Sequence, residues 1–436
     1  MKQRNIFAIN QSLFETLCDL ESLRGAFLVV KRNKGAHGVD GQTIENFGGN
    51  LNEELAQLKK ELESWSYKPM PVRRVEIPKP DGKGTRKLGV PAIRDRVVQT
   101  LVKQILEPIL EPMFSVNSYG FIQGRSQKQA IDAALAIVKT GKEHTIDIDL
   151  ASFFDTVPQD RLISRLSKVI EDKRILRIIG LTLRSGVMID GIVEPTEEGT
   201  TQGSPLSPIL SNFVLDELDK ELENRGLAFC RWADDCNIFV RTPKAAERVM
   251  ASISKFIENR LKLKINRDKS KCAPSAAVKF LGMTIANRTI AISKKSLDRA
   301  MEKVKELTPR GTYLPIEKSI EKINSWYMGW ANYFKMTQYP AQLHRIEAHI
   351  RRRLRSRLVG QQKRRRHLAK KLIGMGAKPA TVYKQVYSNK GRWALAHSPA
   401  VERAWTNEWF AARGFKTISD QKLEHWFGIK QWIKLA

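Results

Sequence analysis

The chain has 436 residues and 42% hydrophobic composition, enough to bury sizeable cores in roughly two or three domains. Its 75 Lys and Arg against 46 Asp and Glu leave a formal charge of +29, which calls for a polyanionic partner, nucleic acid first and an anionic membrane surface second. No apolar run is long enough to span a bilayer, and Met1-Lys2-Gln3-Arg4-Asn5 lacks a secretory apolar stretch. Cys18, Cys230, Cys236 and Cys272 form no CxxC pair. Together these argue against a membrane protein and a structural zinc site, and lead to the expectation of a cytoplasmic, nucleoid-associated protein with reduced thiols.

The elements read in chain order as follows. An amphipathic helix is expected over 52–66, then a β-hairpin over 72–90 turning at Asp81-Gly82-Lys83-Gly84. Helical periodicity returns at 94–111 and 126–140, a strand covers 144–150, and two helices follow across 158–186. Residues 207–225 form a punctuated helix, with Ser207 as N-cap, Pro208 at the first position and Gly226 as the stop. Its apolar stripe is Leu210, Val214, Leu218 and Leu222. A hairpin about Asp234-Asp235, a helix over 244–261 and a second hairpin over 277–292 come next. From 294 the pattern is helical, basic and rich in tryptophan. Residues 301–436 hold 28 Lys and Arg against nine Asp and Glu, and residues 351–400 hold 15 Lys and Arg with no acid. A solvated helix face rarely goes so long without a neutralising carboxylate, so this stretch reads as a nucleic-acid surface.

Chemistry concentrates in two strands. In Thr145-Ile146-Asp147-Ile148-Asp149-Leu150 the alternation of side chains puts Asp147 and Asp149 on one face. Asp234 and Asp235 sit side by side at the turn of Phe229–Val240. Either segment alone is ordinary, since acidic strand edges are solvated and Asp favours turns. Crowded together, the carboxylates repel one another unless a cation lies among them, and a pair of Mg²⁺ ions held so can clamp the oxygens of an in-line phosphoryl displacement. That is the chemistry of a nucleic-acid polymerase.

At this point the chain resembles a known family. Arg231-Trp232-Ala233-Asp234-Asp235 is similar to the Tyr-x-Asp-Asp box of reverse transcriptases, and Asp149-Leu150-Ala151-Ser152-Phe153-Phe154-Asp155 to the box with their first catalytic aspartate. The resemblance is to group II intron-encoded enzymes of the compact bacterial class without an endonuclease domain, and it runs through most of the chain. Asn33–Gly41, Ile77–Arg86, Tyr119–Arg125, Glu198–Pro208, Leu263–Ser270 and Phe280-Leu281-Gly282 look like its successive blocks, and so many ordered blocks are far more specific than one Asp-Asp pair. Trp232 stands where the family usually has Tyr, Thr201 where Pro is frequent and Ser204 where Gly is frequent.

The resemblance implies an α+β right-hand polymerase. Fingers and palm with an N-terminal extension would span 1–293, a helical thumb or maturase domain 294–370, and a small basic DNA-binding domain 371–436. It implies that Asp149, Asp234 and Asp235 ligate two Mg²⁺ ions. Lys79, Arg86 and Lys269 would meet the dNTP triphosphate, Phe154 would exclude a ribose 2′-hydroxyl, and Gln202 would lie against the nascent base pair beside Gly203. Phe280, Leu281 and Gly282 would grip the primer. Arg351, Arg352, Arg353, Arg355, Lys363, Arg364, Arg365 and Arg366 would bind nucleic acid, while the aromatics of the helical part would be mostly core. The expected reaction is DNA synthesis from dNTPs and a DNA primer on an RNA template, with structured intron RNA and target DNA as further partners and either a monomer or a homodimer as the working unit. Two alternatives stay open: a group II-like enzyme working outside an intron, in phage defence or DNA repair, and a non-catalytic RNA-binding splicing factor.

Overall fold

The computed structural model describes residues 13–78, 84–309 and 311–427. The chain folds as two compact units, Met1–Pro274 and Ser275–Ala436. Its strands, in chain order, are β1 (Val72–Pro78), β2 (Thr85–Val90), β3 (His144–Ile148), β4 (Val187–Ile189), β5 (Ile192–Glu194), β6 (Ala228–Trp232), β7 (Asp235–Val240), β8 (Lys271–Pro274), β9 (Met283–Ala286) and β10 (Thr289–Ile292).

The first unit is α+β. Two four-stranded sheets, ordered β2-β1-β4-β5 and β6-β7-β3-β8, are surrounded by helices. The β1–β2 hairpin is antiparallel, with Arg73 opposite Val90 and Pro78 opposite Thr85. The second sheet is antiparallel throughout, and alternation along its strands decides what it buries. Ile146, Ile148, Cys236 and Ile238 point into the core, and the helix Pro243–Phe256 packs against β3, β7 and β8. That helix runs on into a π-helical turn, Ile257–Leu261. The helix Ser207–Asn224 is buried on nearly all sides, which explains why apolar residues lie beyond its expected stripe. Its N-cap is Leu206, a correction to the reading of Ser207: that hydroxyl donates instead to the Thr201 carbonyl (2.8 Å). A four-residue helix, Phe153–Thr156, was not expected from the pattern. Helix Gln127–Lys139 opens with a full capping box between Ser126 and Gln129.

The second unit contains the β9–β10 hairpin and a set of helices, among them Lys294–Leu307, Ile316–Phe334, Pro340–Gln361, Arg365–Gly374 and Pro379–Val386. The expected cut at 293 would separate this hairpin from the helices. The units divide at 274 instead, because the hairpin is bonded to the helical part: the amides of Ile290 and Ile292 donate to the side chains of Gln338 and Gln342 (2.9 and 2.8 Å). The hairpin is also shorter than its hydrophobic pattern suggested. Leu281 and Gly282 both have positive φ (50° and 82°), so Phe280–Met283 is a tight turn and strand pairing starts only at Met283. Buried Glu347 ties the C-terminal segment to this unit, accepting from Tyr327 Oη (2.6 Å) and from the amides of Ile418 and Ser419 (2.9 and 3.1 Å).

Candidate active site

The strand register brings the three aspartates to one end of the second sheet. Ile148 lies opposite Cys236 and Asp147 opposite Asn237. Continuing the antiparallel ladder by one step sets Asp149 across from Asp235, on the face opposite the buried isoleucines. At that point the chain leaves β7, and the backbone of Asp149 is held from the other side. Its amide donates to Ser270 Oγ (3.0 Å), the Ser270 hydroxyl donates back to its carbonyl (3.3 Å), and that carbonyl also accepts from the Asn266 amide (2.8 Å). Asp235 opens β7 opposite Trp232, so the turn proper is Ala233-Asp234. Asn237 Nδ2 donates to Asp235 Oδ1 (3.1 Å).

Asp234 carries the electrostatic signature of the site. Burial and the negative charge of Asp149 lift its carboxyl above the usual range, while the Arg86 guanidinium works in the opposite direction. A half-buried carboxylate beside a second one is a good cation ligand, because a bound cation removes both penalties. Among the described residues, no three His, Cys, Asp or Glu side chains converge into a closed metal cluster. The fit to a metal thus rests on the Asp149–Asp234 pair, with Asp235 brought alongside by register.

What fixes the turn is a residue that the sequence reading quoted only as part of the box. Arg231 is fully buried. Its guanidinium donates to both oxygens of buried Asp219 (2.7 and 2.5 Å), to Asn212 Oδ1 (2.9 Å) and to the carbonyl of Ala233 (2.8 Å). Burial alone would lower its pKa, but the charge of Asp219 and the bonds to it outweigh that and raise it. Ala233 has φ 54°, a left-handed conformation that a non-glycine residue holds only when its surroundings insist. Asn212 Nδ2 in turn donates to the Gly120 carbonyl (2.7 Å), and Gly120 sits so close that an added Cβ would lie 2.4 Å from the Ala233 nitrogen. Asp219–Arg231–Asn212–Gly120 is therefore a buried polar brace beneath the Asp234 turn. A charged residue between Cys230 and Trp232 in an otherwise apolar strand, together with acids on a helix that is buried all round, was the signal available in the sequence.

The expected nucleotide residues fall into three groups. Phe154 and Gln202 line one pocket of about 270 Å³, together with Arg74, Lys87 and Thr201. The cations Arg74 and Lys87 were not singled out from the sequence. None of the three aspartates is among the residues lining this pocket. Two glycines permit its geometry. The Gly89 amide donates to the Gln202 carbonyl (2.8 Å), and a Cβ on Gly203 (φ 113°) would lie 2.7 Å from the Gly89 oxygen. Arg86 is exposed on β2, Lys269 is exposed on the loop before β8, and Lys79 lies outside the described residues.

In the second unit, the Phe280–Gly282 turn is clamped by Tyr333 Oη donating to the Leu281 carbonyl (2.5 Å) and Ser296 Oγ donating to the Gly282 carbonyl (2.8 Å). Two arginines of the basic helix bond within the fold. Arg353 donates to Thr308 Oγ1 and to the Thr308 carbonyl (2.9 and 2.7 Å), closing the end of helix Lys294–Leu307. Arg355 is buried and donates to the Trp405 carbonyl (2.8 Å), so it is no surface cation. Arg352 covers the Trp393 ring at 4.1 Å. Arg351 and Arg352 line a cavity of about 800 Å³ with Arg345 and His397, and Lys363, Arg364, Arg365 and Arg366 are exposed. Buried Tyr327, Trp405 and Phe410 belong to the core of this unit.

Two family models match the chain. Residues 77–285 match Reverse transcriptase (RNA-dependent DNA polymerase), and residues 297–373 match Group II intron, maturase-specific domain. The protein YkfC of Escherichia coli K12 is 35% identical over 301 residues, 60% of this chain and 79% of its own length. The group II intron-encoded protein LtrA of Lactococcus lactis subsp. cremoris is 26% identical over 393 residues, 73% of this chain and 64% of LtrA. An uncharacterized 91 kDa protein in the cob intron of Schizosaccharomyces pombe is 34% identical over 46% of this chain, which spans 24% of that protein.

Proposed function

The chain belongs to the group II intron type of reverse transcriptases, RNA-directed DNA polymerases with a maturase-specific domain, and on that premise we propose that Asp149, Asp234 and Asp235 hold two Mg²⁺ ions at its polymerising site. The observation that carries this is the end of the second sheet, where the charge of Asp149 raises the proton affinity of half-buried Asp234 and the strand register sets Asp235 across from Asp149. Bound there, the ions would supply Lewis-acid stabilisation of the attacking and leaving oxygens. The chain's own residues bind and orient. Arg86, whose charge already reaches Asp234, pairs with the triphosphate of an incoming dNTP, helped by Lys79 and Lys269. The Phe154 ring denies room to a 2′-hydroxyl, and Gln202, held on Gly89, lies against the nascent pair. The clamped turn at Phe280, Leu281 and Gly282 supports the DNA primer strand.

The reverse transcriptase and maturase domains imply binding of an RNA template and of intron RNA. We assign the thumb role to 294–370 and target-DNA binding to 371–436, with Arg351, Lys363, Arg364 and Arg366 as phosphate contacts. In this reading the chain assists intron splicing and mobility as well as copying RNA. Mn²⁺ bound to the complex with a chain-terminated primer, RNA template and dNTP, counted by electron paramagnetic resonance, tests the metal assignment. A pair of ions in the natural chain, reduced in Asp234→Asn, is expected. Equal counts in both would remove Asp234 from the metal site.

A further inference from the structure

The aromatic rings of the helical unit are mostly accounted for. Tyr327, Trp405 and Phe410 are buried, while Trp393 and Trp409 lie beneath Arg352 and Arg413. Tyr383 and Tyr387 differ. They stand one turn apart at the end of helix Pro379–Val386, with ring centroids 6.1 Å apart and planes inclined by only 25°. Their exposures are 54% and 49%. The two rings thus form a small shelf of nearly parallel, half-exposed rings.

The surroundings of the shelf say what it fits. Residues 361–392 contain ten Lys and Arg and no Asp or Glu. Arg365 is placed directly beside the pair, its Nη1 donating to the Tyr387 carbonyl (3.3 Å). Lys378, Lys384 and Lys390 are all exposed on or next to the same helix. A π face flanked by cations suits a base and its phosphate, and stacking of this kind tolerates any sequence because every base has a flat face. A duplex cannot use such a shelf, since its bases are already stacked on one another and are read through groove and backbone. An acidic peptide would satisfy the lysines but leave the rings without a planar partner.

We propose that Tyr383 and Tyr387 form a stacking platform for unpaired bases of a single-stranded nucleic acid, with Arg365, Lys378, Lys384 and Lys390 holding its backbone. This rests on the reverse transcriptase reading only for the presence of such a strand. The platform discriminates by strandedness, whereas the lysines alone would attract any polyanion.

The test uses the full chain and fluorescence anisotropy with labelled oligo-dT, oligo-U and a blunt DNA duplex of equal length, at one fixed salt concentration. Tyr383→Ala/Tyr387→Ala is expected to weaken binding to a single strand by about 10-fold or more, from a stacking contribution of roughly 1–3 kcal/mol per base, and to leave duplex binding within about twofold. Tyr383→Phe/Tyr387→Phe keeps both faces and is expected to bind as the natural chain does. A loss on oligo-dT alone, oligo-U alone or both supports the platform and identifies its strand. No loss on either single strand, or an equal loss on the duplex, overturns it. Primer extension on a saturating preformed primer–template, run on the natural chain, reads the polymerising site separately, so failure there would count against the polymerase and not against the platform.

Discussion

Replacing Arg231 tests how the site is held together. In Arg231→Met, buried Asp219 loses its partner, and Asn212 and the Ala233 carbonyl each lose a bond. Breaking one side of a buried ion pair costs about 3–5 kcal/mol. Urea unfolding followed by tryptophan fluorescence, for which Trp232 is a neighbouring reporter, is expected to register a loss of that size. The companion variant Arg231→Met/Asp219→Leu removes both charges, and replacing a buried pair with apolar groups is often near neutral, so most of the stability should return. Activity should not return with it. Ala233 keeps φ 54° only while its carbonyl is held, and a left-handed non-glycine residue stores on the order of 1–3 kcal/mol. Once released, the turn relaxes and carries Asp234 with it, and a displacement of about 1 Å in such a site costs roughly 100-fold in rate. Single-turnover primer extension should therefore stay slow by about that factor in the stable double variant. Recovery of the natural rate alongside recovery of stability would refute the bracing role and reduce Arg231 to a fold residue.

Three other outcomes are expected. Gly120→Ala should slow extension by about 100-fold with the fold intact, because its Cβ meets backbone of the Ala233 turn that has no room to give; Gly25→Ala, which meets nothing within 4 Å, is the matched control. Phe154→Ala should cut the preference for dNTP over rNTP by about 10-fold or more in single-nucleotide incorporation, since its backbone remains fixed by the Thr200 amide (2.5 Å) and only the ring is lost. Asp95, fully buried beneath Tyr67 and the Met70 amide, has its carboxyl raised to about 6 by burial, against the pull of those two bonds. The folded chain thus binds that proton more tightly than the unfolded chain, and stability falls as pH rises from about 4 to about 6, by on the order of 3 kcal/mol. Asp95→Asn should lack that component, so its unfolding free energy should gain on the natural chain across this window; parallel curves would contradict the assignment.

Much of this arrangement was legible in the sequence because local and tertiary preferences agree. Alternation in Thr145–Leu150 marked the strand and the shared face of Asp147 and Asp149, and the pattern of Phe229–Val240 marked the hairpin that turns at Asp234. The helix at 207–224 was marked by Pro208 and Gly226. The turn at Leu281-Gly282 was hidden inside an apolar run, because hydrophobic alternation continues through residues whose φ is positive. The internal bonds of the arginines were hidden for a related reason. A guanidinium reads as a surface cation in a basic stretch, yet Arg353 and Arg355 close helix ends and bond internal carbonyls, and buried Arg231 bonds the Ala233 carbonyl beneath the Asp234 turn. Only the approach of distant segments, such as Gly120 to Ala233 and Gly89 to Gly203, reveals which polar groups need a buried partner. Arg74 and Lys87 escaped notice because their pocket is assembled from the first sheet and the loops around Phe154 and Gln202.

The most direct measurement is primer extension by the purified chain on an RNA template with an annealed DNA primer, dNTPs and Mg²⁺, beside Asp149→Asn and Asp234→Asn variants that still bind the primer–template. Long cDNA is expected from the natural chain, and a loss of at least about 1,000-fold in rate from either variant. Undiminished synthesis by the variants would contradict the assignment of the aspartates, and absence of cDNA from the natural chain with RNA binding intact would contradict the polymerase itself.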